Sequence, residues 1–370
     1  MHRRLILVSG AALLVALTLA GPVLAAPPSQ TSSDPTDWTV LALGITYLLP
    51  MGLILLSMAA FPEEGAVSAT TGAMVVWGLA VLAYFAVGFA FQFGGIAVFH
   101  NDPDLAGLYW EYSLMDTTWG TGWGMIGLRG FLLLDAGSTA GALTLFLSQL
   151  PFLGTATLLM YFALQGRTQP WVILLSSLVM GSMIYPIIGN WIWAAGWLAN
   201  LGINLGFGHG LVDAGGSGQA VLAGASAALA ALIVFRKRPA KSPNVADETP
   251  DGDEEPDAAT GPHDDVAQAE KPEIVSMPPV QLPLLASLGA TLMLIGWIGT
   301  VFMTHLPTAV DVLPAATAVN LVLSALGATL TAGLYSWFTT SKLNPLMGAR
   351  GMAAGLVVAA AAAPFVPPWS

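Results

Sequence analysis

Polar and aromatic side chains are sparse in this 370-residue chain, and the places where they gather mark where chemistry can happen. The densest gathering begins at Tyr185 and reads YPIIGNWIWAAGWLANLGINLGFGHGLVDAGGSGQAVLAGASAALAAL. Trp191, Trp193 and Trp197 close a helical stretch; Gly-rich backbone comes next, and His209, Asp213, Ser217 and Gln219 lead into the next apolar run. Aromatic faces attract cations through the ring quadrupole, worth up to ~2 kcal/mol when desolvated. A tryptophan belt at a membrane interface followed by a turn would also produce these letters, with AGGSG letting helices pack closely. The residues themselves leave both readings open. Other chemistries are easier to exclude. There is no cysteine, so disulfides, thiolate metal sites and cysteine nucleophiles are ruled out. No hydrolase, P-loop, dinucleotide or zinc-protease motif stands in a fitting context. With no nucleophile–base pair to name, the chain is expected not to be an enzyme and to need no cofactor or metal.

The elements that must position these residues are membrane spans. Hydrophobic residues make up 55% of the chain and charged residues 9%, where a soluble domain carries about 25% charged residues. Apolar runs near the ~20 residues needed to cross a bilayer are expected at 39–61, 72–96, 139–164, 171–195, 215–235, 282–304, 312–338 and 348–367. The connection 97–137 is long, aromatic and acidic; Trp110, Trp119 and Trp123 suit an interfacial belt, and GMIGLRGFLLLDAG reads as a re-entrant or surface segment rather than a span. Residues 1–26 read as a secretory signal: Arg3 and Arg4, an apolar core, and VLAAPP as a small-residue cleavage site. The mature chain would then start outside the cytoplasm. Charge agrees with that start. Inner connections carry Arg167, Arg236, Lys237, Arg238, Lys241, Lys342 and Arg350, whereas outer ones hold mainly acids with Arg129 alone opposing. Residues 236–281 form a Pro-rich acidic linker expected to be disordered and cytoplasmic, with His263 solvated. Half of the 22 acidic residues lie between Asp247 and Glu273, so the net charge of −11 describes this loop and not a binding face. The expected division is 1–26 signal peptide, 27–235 a first membrane half of five spans, 236–281 the loop, and 282–370 a second part of three spans.

Ionisable residues are nearly absent from the spans, which argues against an ion-coupled pump. A pore would have to use aromatic faces, hydroxyls and backbone carbonyls. Motifs along the chain narrow this further. YPIIGNWIWAAGWLANLG followed by VDAGGSGQAVLAG resembles the ammonium transporter/Rh family, whose helix end YP-x-x-x-HWVW-x-x-GWL-x-x-x-G precedes DFAGG and a span. In order along the chain, LPMGLILL resembles the family's PGLAL, AYFAVGFAFQFGG its GYALAFG-type span, and Ser148-Gln149-Leu150-Pro151-Phe152 its FQ-x-x-F. LIGWIGTVFMTH, AATAVNLVLSALGATL and GARGMAAGLVVAAAAAPFVPPWS resemble three further family segments, IGWFGFN-x-GS, AFVNT-x-x-A and G-x-x-AGLVAITP.

The resemblance implies an all-α polytopic transmembrane bundle on an inverted-repeat scaffold. It also implies a homotrimer in the cell membrane with one pore per subunit for ammonium or ammonia. Eight of the family's usual eleven spans are covered, so the second repeat is incomplete. Carried over by residue, Trp193 would be the outer recruitment aromatic, Thr304 the recruiting hydroxyl, Phe152 one of two stacked gate rings, and Asp213 the structural Asp near the outer vestibule. The second gate ring aligns with Thr300, and the first pore histidine falls at Gln219 or Ala220. His209 and His305 align with neither pore histidine and read as helix-end residues near an interface. Imidazole is the side chain tuned to accept a proton near neutrality, so without it ammonium transport is expected to be weak or lost. The alternatives are a non-conducting sensor or assembly subunit on the same scaffold, using the acidic loop to meet a cytoplasmic regulatory protein, and a fragment completed by an adjacent chain. Nothing points to nucleic acid.

Overall fold

A backbone that crosses lipid must satisfy its N–H and C=O groups within itself, so apolar runs of this length fold as helices. The computed structural model describes residues 37–59, 63–235, 281–303 and 313–366. Among them, eight helices are long and apolar enough to span a membrane: Val40–Met58, Val67–Val98, Ala140–Leu164, Pro170–Trp193, Ser217–Val234, Gln281–Phe302, Pro314–Thr340 and Pro345–Ala362. They are numbered spans 1 to 8. All eight expected runs are present, with shifted ends. Span 2 starts earlier because polar residues fit the helix by bonding back to it, as Thr71 Oγ1 does to Val67 O at 3.0 Å. Span 8 starts at Pro345, since Asn344 Oδ1 accepts the Leu346 and Met347 N–H groups and proline suits the first helical position. Residues 1–26, expected to form a signal sequence, together with Thr304, His305 and the acidic stretch 236–280, lie outside the described residues.

Lipid offers no hydrophobic drive between helices, so the bundle closes through small residues. A Cβ on Gly52 of span 1 would stand 2.4 Å from Gly289 O of span 6, an approach only glycine allows. Span 3 lies at the centre, and Phe152, Leu153, Ala156 and Leu158 along it are fully buried.

Three of the described spans carry a π-helical turn. Span 2 turns π-helical over Tyr84–Gly88, span 4 over Met180–Ile184, and span 5 over Ser217–Leu222. Such turns insert a residue, rotate the helix beyond them, and recur at functional sites. Here they bring Tyr84 and Tyr185 into an edge-to-face contact at 6.0 Å and set Gln219 facing span 3.

The connection between spans 2 and 3 is a surface structure and contains no span. It carries a two-stranded antiparallel pair, Glu111 against Gly127 and Tyr112 against Ile126. The stretch expected as re-entrant or surface becomes one of these strands and two 3₁₀ turns, with Leu132, Leu133 and Asp135 at positive φ. Trp110 and Trp119 are exposed, but Trp123 is buried. A turn in which Trp123 N donates to Asp116 Oδ1 at 3.1 Å folds it inward, so it does not serve an interfacial belt. Glu111 sits against the backbone at Gly95 and Gly124 with its Oε2 buried and unpartnered. Burial, and then the Asp116 charge, push its carboxyl up to about 7.

Candidate functional site

Two layers of side chains occupy the middle of the bundle. The upper is aromatic. Phe152 of span 3 is fully buried and meets Trp193, the last residue of span 4, edge-to-face with centroids 5.3 Å apart. Offset and edge-to-face pairs are the favoured aromatic geometries, adding about 0.5–1.5 kcal/mol beyond burial. The Phe152 ring lies on Gly216, where φ is +72° and a Cβ would stand 2.5 Å from the ring. Glycine is needed there both for the left-handed backbone and for the space. Trp193 is itself buried, and its Nε1 donates to Asp213 O at 2.8 Å.

Asp213 links this layer to the next. Its Oδ2 accepts the Gln219 N–H at 2.9 Å, so the carboxylate caps the first turn of span 5, where free N–H groups and the helix dipole favour an acceptor. Burial pushes the carboxyl above the usual range, and the backbone N–H groups of Gln219, Gly218, Ser217 and Gly216 oppose that shift.

The lower layer is made of amides and phenols. Gln149 Oε1, one turn before Phe152, accepts three hydrogen bonds: from Tyr185 OH at 2.8 Å, Gln92 Nε2 at 2.9 Å and Gln219 Nε2 at 3.1 Å. Tyr84 OH donates to Gln92 Oε1 at 2.8 Å, and Asn190 Nδ2 donates to Gln92 O at 2.8 Å. All six side chains are fully buried. Ala220, the other position aligned with the first pore histidine, is a buried methyl group, whereas Gln219 reaches the cluster.

Four of the residues singled out in the sequence, Phe152, Trp193, Asp213 and Gln219, thus meet in one place. Thr300, at the second gate position, is buried with its hydroxyl bonded to Trp297 O at 2.7 Å. The neighbouring Trp297 donates its Nε1 to Gly215 O at 2.9 Å. His209 is exposed on the loop after span 4, beside Ala361 and Phe365, and lies away from this cluster. Of these amides the sequence singled out Gln219 as a site position and Gln149 within a motif, and the expected pore-lining groups were aromatic faces, hydroxyls and backbone carbonyls. The available signal was polar residues inside apolar motifs: Gln92 in AYFAVGFAFQFGG, Gln149 in SQLPF, and Asn190 where the family motif carries the histidine of HWVW.

The model of the Ammonium Transporter Family matches residues 37–251 and 265–370. The chain belongs to this family. Among relatives of this ammonium-transporter chain, Ammonium transporter Amt2 of Archaeoglobus fulgidus is 25% identical over 362 residues, covering 97% of this chain and 66% of that protein. Ammonium transporter 3 of Dictyostelium discoideum is 24% identical over 349 residues, covering 90% of this chain and 64% of that one. The chain therefore spans less than two thirds of either relative. Two solved structures share its fold. A protein described as a sensor Amt protein has a TM-score of 0.63 at 21% identity, over 90% of this chain and 69% of the other. Mep2 of Candida albicans has a TM-score of 0.63 at 21% identity, over 90% and 61%. This family member is a multi-pass membrane protein with eight candidate spans among its described residues.

Proposed function

We propose that the chain conducts ammonium or ammonia across the cell membrane at a low rate, by a route past Trp193 and Phe152 toward Gln219. The observation that carries this reading is the unbroken series of contacts from the aromatic pair through Asp213 to the Gln219–Gln149 hydrogen bond. Trp193 and, in the segment outside the described residues, Thr304 are the proposed recruitment groups, Phe152 the gate, and Asp213 the residue that orients the start of span 5. Where the family has its first pore histidine, Gln219 is an amide that takes up no proton in the physiological range, so the step that strips a proton from ammonium lacks its acceptor. Methylammonium uptake into vesicles holding the full chain tests this, with the A. fulgidus protein measured alongside. We expect uptake at least tenfold slower, abolished by Trp193→Ala. Uptake equal to the A. fulgidus protein overturns the low rate, and indifference to Trp193→Ala overturns the route.

The finer organisation belongs to the same proposal. Residues 1–26 act as a signal peptide, the mature chain starts outside, and 27–235 and 282–370 are the two membrane parts joined by a cytoplasmic 236–281 loop; the charge distribution supports this. The proposed assembly is a homotrimer, as the family implies, and the activity is transport rather than catalysis. The closed amide layer favours one second reading, a non-conducting sensor or assembly subunit that contacts a cytoplasmic regulatory protein through its acidic loop. Deleting residues 247–273 should then abolish that contact, and unchanged interactions after deletion would sink this second reading.

A further inference from the structure

The surface structure between spans 2 and 3 is pinned to the bundle along one seam. Its strand Glu111–Tyr112 pairs with Ile126–Gly127, and Trp110 N donates to Gly94 O at 3.0 Å, two residues past Gln92. Met125 N donates to Tyr112 O at 3.0 Å and Leu128 N to Trp110 O at 2.8 Å. The partner strand is tied in turn to the end of span 4: Trp191 Nε1 donates to Met125 O and Trp197 N to Gly124 O, both at 2.9 Å. The carboxyl of Glu111 lies inside this seam. A Cβ at Gly95 would stand 2.5 Å from Glu111 Cβ and 3.0 Å from its Oε2, and one at Gly124 would collide with Oε2, so the two glycines make the room it occupies. Oε2 is enclosed and accepts nothing, and across Gly124 the Trp197 Nε1 is buried without an acceptor. Unpaired buried groups are exceptions in folded proteins, and a seam that holds two of them opens at lower cost than its surroundings.

We propose that Glu111 is a protonation-operated latch: neutral, it seats the strand Glu111–Tyr112 against Gly95 and Gly124; ionised, it leaves that cradle and frees the strand from the ends of spans 2 and 4. The cradle discriminates by charge. A carboxyl with one oxygen shut from water is tolerated neutral and penalised as an anion. Asp116, whose Oδ1 accepts the Trp123 N–H at 3.1 Å, adds its own negative charge. Among the described residues no cation answers it. Arg129, two residues past Gly127, lies over the Tyr109 ring at 5.1 Å, and His100, beyond the end of span 2, is under the influence of Asp102. The turn and strand 120–128 and the stretch 185–208, which carries Trp191 and Trp197, contain no Asp, Glu, Lys, Arg or His; the segment of Glu111 itself adds the phenols of Tyr109 and Tyr112. Burial first and Asp116 second raise the docked carboxyl from 4.5 to about 7. Between those values the docked strand holds a proton that the freed strand releases. The docked-to-free ratio therefore falls by up to about tenfold per pH unit as pH rises, and levels off above about 7. The latch stands independently of transport. That it uncovers the way to Trp193, two residues past Trp191, rests on the proposed route.

The test is hydrogen–deuterium exchange of the full chain in lipid nanodiscs, stepped from pH 5 to pH 8 and corrected for intrinsic amide rates. The informative peptides cover Trp110, Met125 and Leu128, whose N–H groups close the seam. We expect their protection to fall about tenfold or more across that range, while peptides from spans 3 and 8 keep theirs. Glu111→Gln, neutral at every pH, should stay protected throughout. Asp116→Asn, which keeps an oxygen for the Trp123 N–H, should shrink the fall and end it at lower pH. Protection that does not change with pH in the wild-type chain overturns the latch, whether or not the variants fold. A fall shared equally by spans 3 and 8 is loss of the whole fold and overturns it too, as does a fall that persists in Glu111→Gln. Methylammonium uptake is read apart from exchange. A ratio of wild-type to Glu111→Gln uptake that rises with pH supports the link to the route, and a constant ratio breaks that link. No uptake by either chain defeats the transport reading and leaves the exchange result to decide the latch.

Discussion

Replacing Gln149 by methionine keeps the side chain's length but removes the oxygen on which three donors converge. Three bonds between helices would go, from Tyr185 OH, Gln92 Nε2 and Gln219 Nε2, in a region closed to water, with Tyr185 OH keeping a 3.4 Å contact to Gln149 O and the local Gln149 Nε2 to Ser148 Oγ bond lost besides. Hydrogen bonds between transmembrane helices average about 0.6 kcal/mol in double-mutant cycles, so three lost bonds predict a destabilisation of about 2 kcal/mol. If each orphaned donor instead bears the desolvation cost measured in soluble cores, roughly 1–3 kcal/mol apiece, the loss rises to several kcal/mol. Gln219→Met removes only one of the three bonds, for a predicted loss of about 0.6 kcal/mol. Reversible unfolding of the full chain in bicelles, followed by steric trapping, measures both. The ratio is more discriminating than either value, because a hub must cost about three times what a spoke costs, a factor set by three bonds against one. Equal losses for the two variants, or a Gln149→Met loss under about 0.5 kcal/mol, less than one average bond, would refute the hub.

Three further outcomes are checked the same way. Gly216→Ala sets a Cβ 2.5 Å from the Phe152 ring at a φ of +72°; the left-handed backbone alone costs about 1–2 kcal/mol, so a loss of about 2 kcal/mol or more is expected. Gly189→Ala sets a Cβ against the hydrogen-bonded amide ends of Gln219 and Gln92, so it should cost about 1 kcal/mol, the worth of the one or two membrane hydrogen bonds their displacement breaks. Glu111 gives a pH dependence. With its pKa raised from 4.5 to about 7, the folded protein holds a proton that the unfolded chain releases, so stability falls as pH rises from about 4.5 to about 7 and levels off above. The slope is at most ~1.4 kcal/mol per pH unit and is reduced by the solvent the group still meets. Glu111→Gln should flatten melting midpoints across that window, and an unchanged slope would count against the assignment.

The spans were legible because lipid imposes one rule on every stretch of backbone, and eight apolar runs obey it. Their ends were less legible. Thr71 in span 2 looks like a boundary residue until its hydroxyl is seen bonded to the helix, and Asn344 declares itself a cap only through the N–H groups it accepts. Within the candidate site, Phe152, Trp193, Asp213 and Gln219 could be picked out because their motifs are local. The amide layer could not. Its members are separated by 57 residues from Gln92 to Gln149 and by 70 from Gln149 to Gln219, and they meet only after π turns rotate spans 2, 4 and 5. A regular 3.6-residue period does not contain that rotation. Trp193 shows a different limit. The motif marks its type and position, but only the fold shows its indole N–H bonded to Asp213 O and its ring turned against Phe152.

How firmly the centre is closed can be judged from the size of its bonds. The Gln219–Gln149 contact, at 3.1 Å, is the longest of the three on Gln149 Oε1. At about 0.6 kcal/mol such a bond is worth about the thermal energy, so it breaks and reforms freely and cannot by itself bar passage. Two features would hold the proposed route closed more strongly. One is the Phe152 ring, packed on Gly216 and against Trp193, which would have to move as a body for a solute to pass it. The other is that, among the described residues, this layer is made of amides and phenols without an imidazole, so on the proposed route an ammonium ion would meet no group tuned to take its proton and a low-dielectric layer to cross as a charge. The first barrier acts on every solute, the second on cations alone. On the proposed route, such a layer would discriminate by charge state before it discriminates by shape.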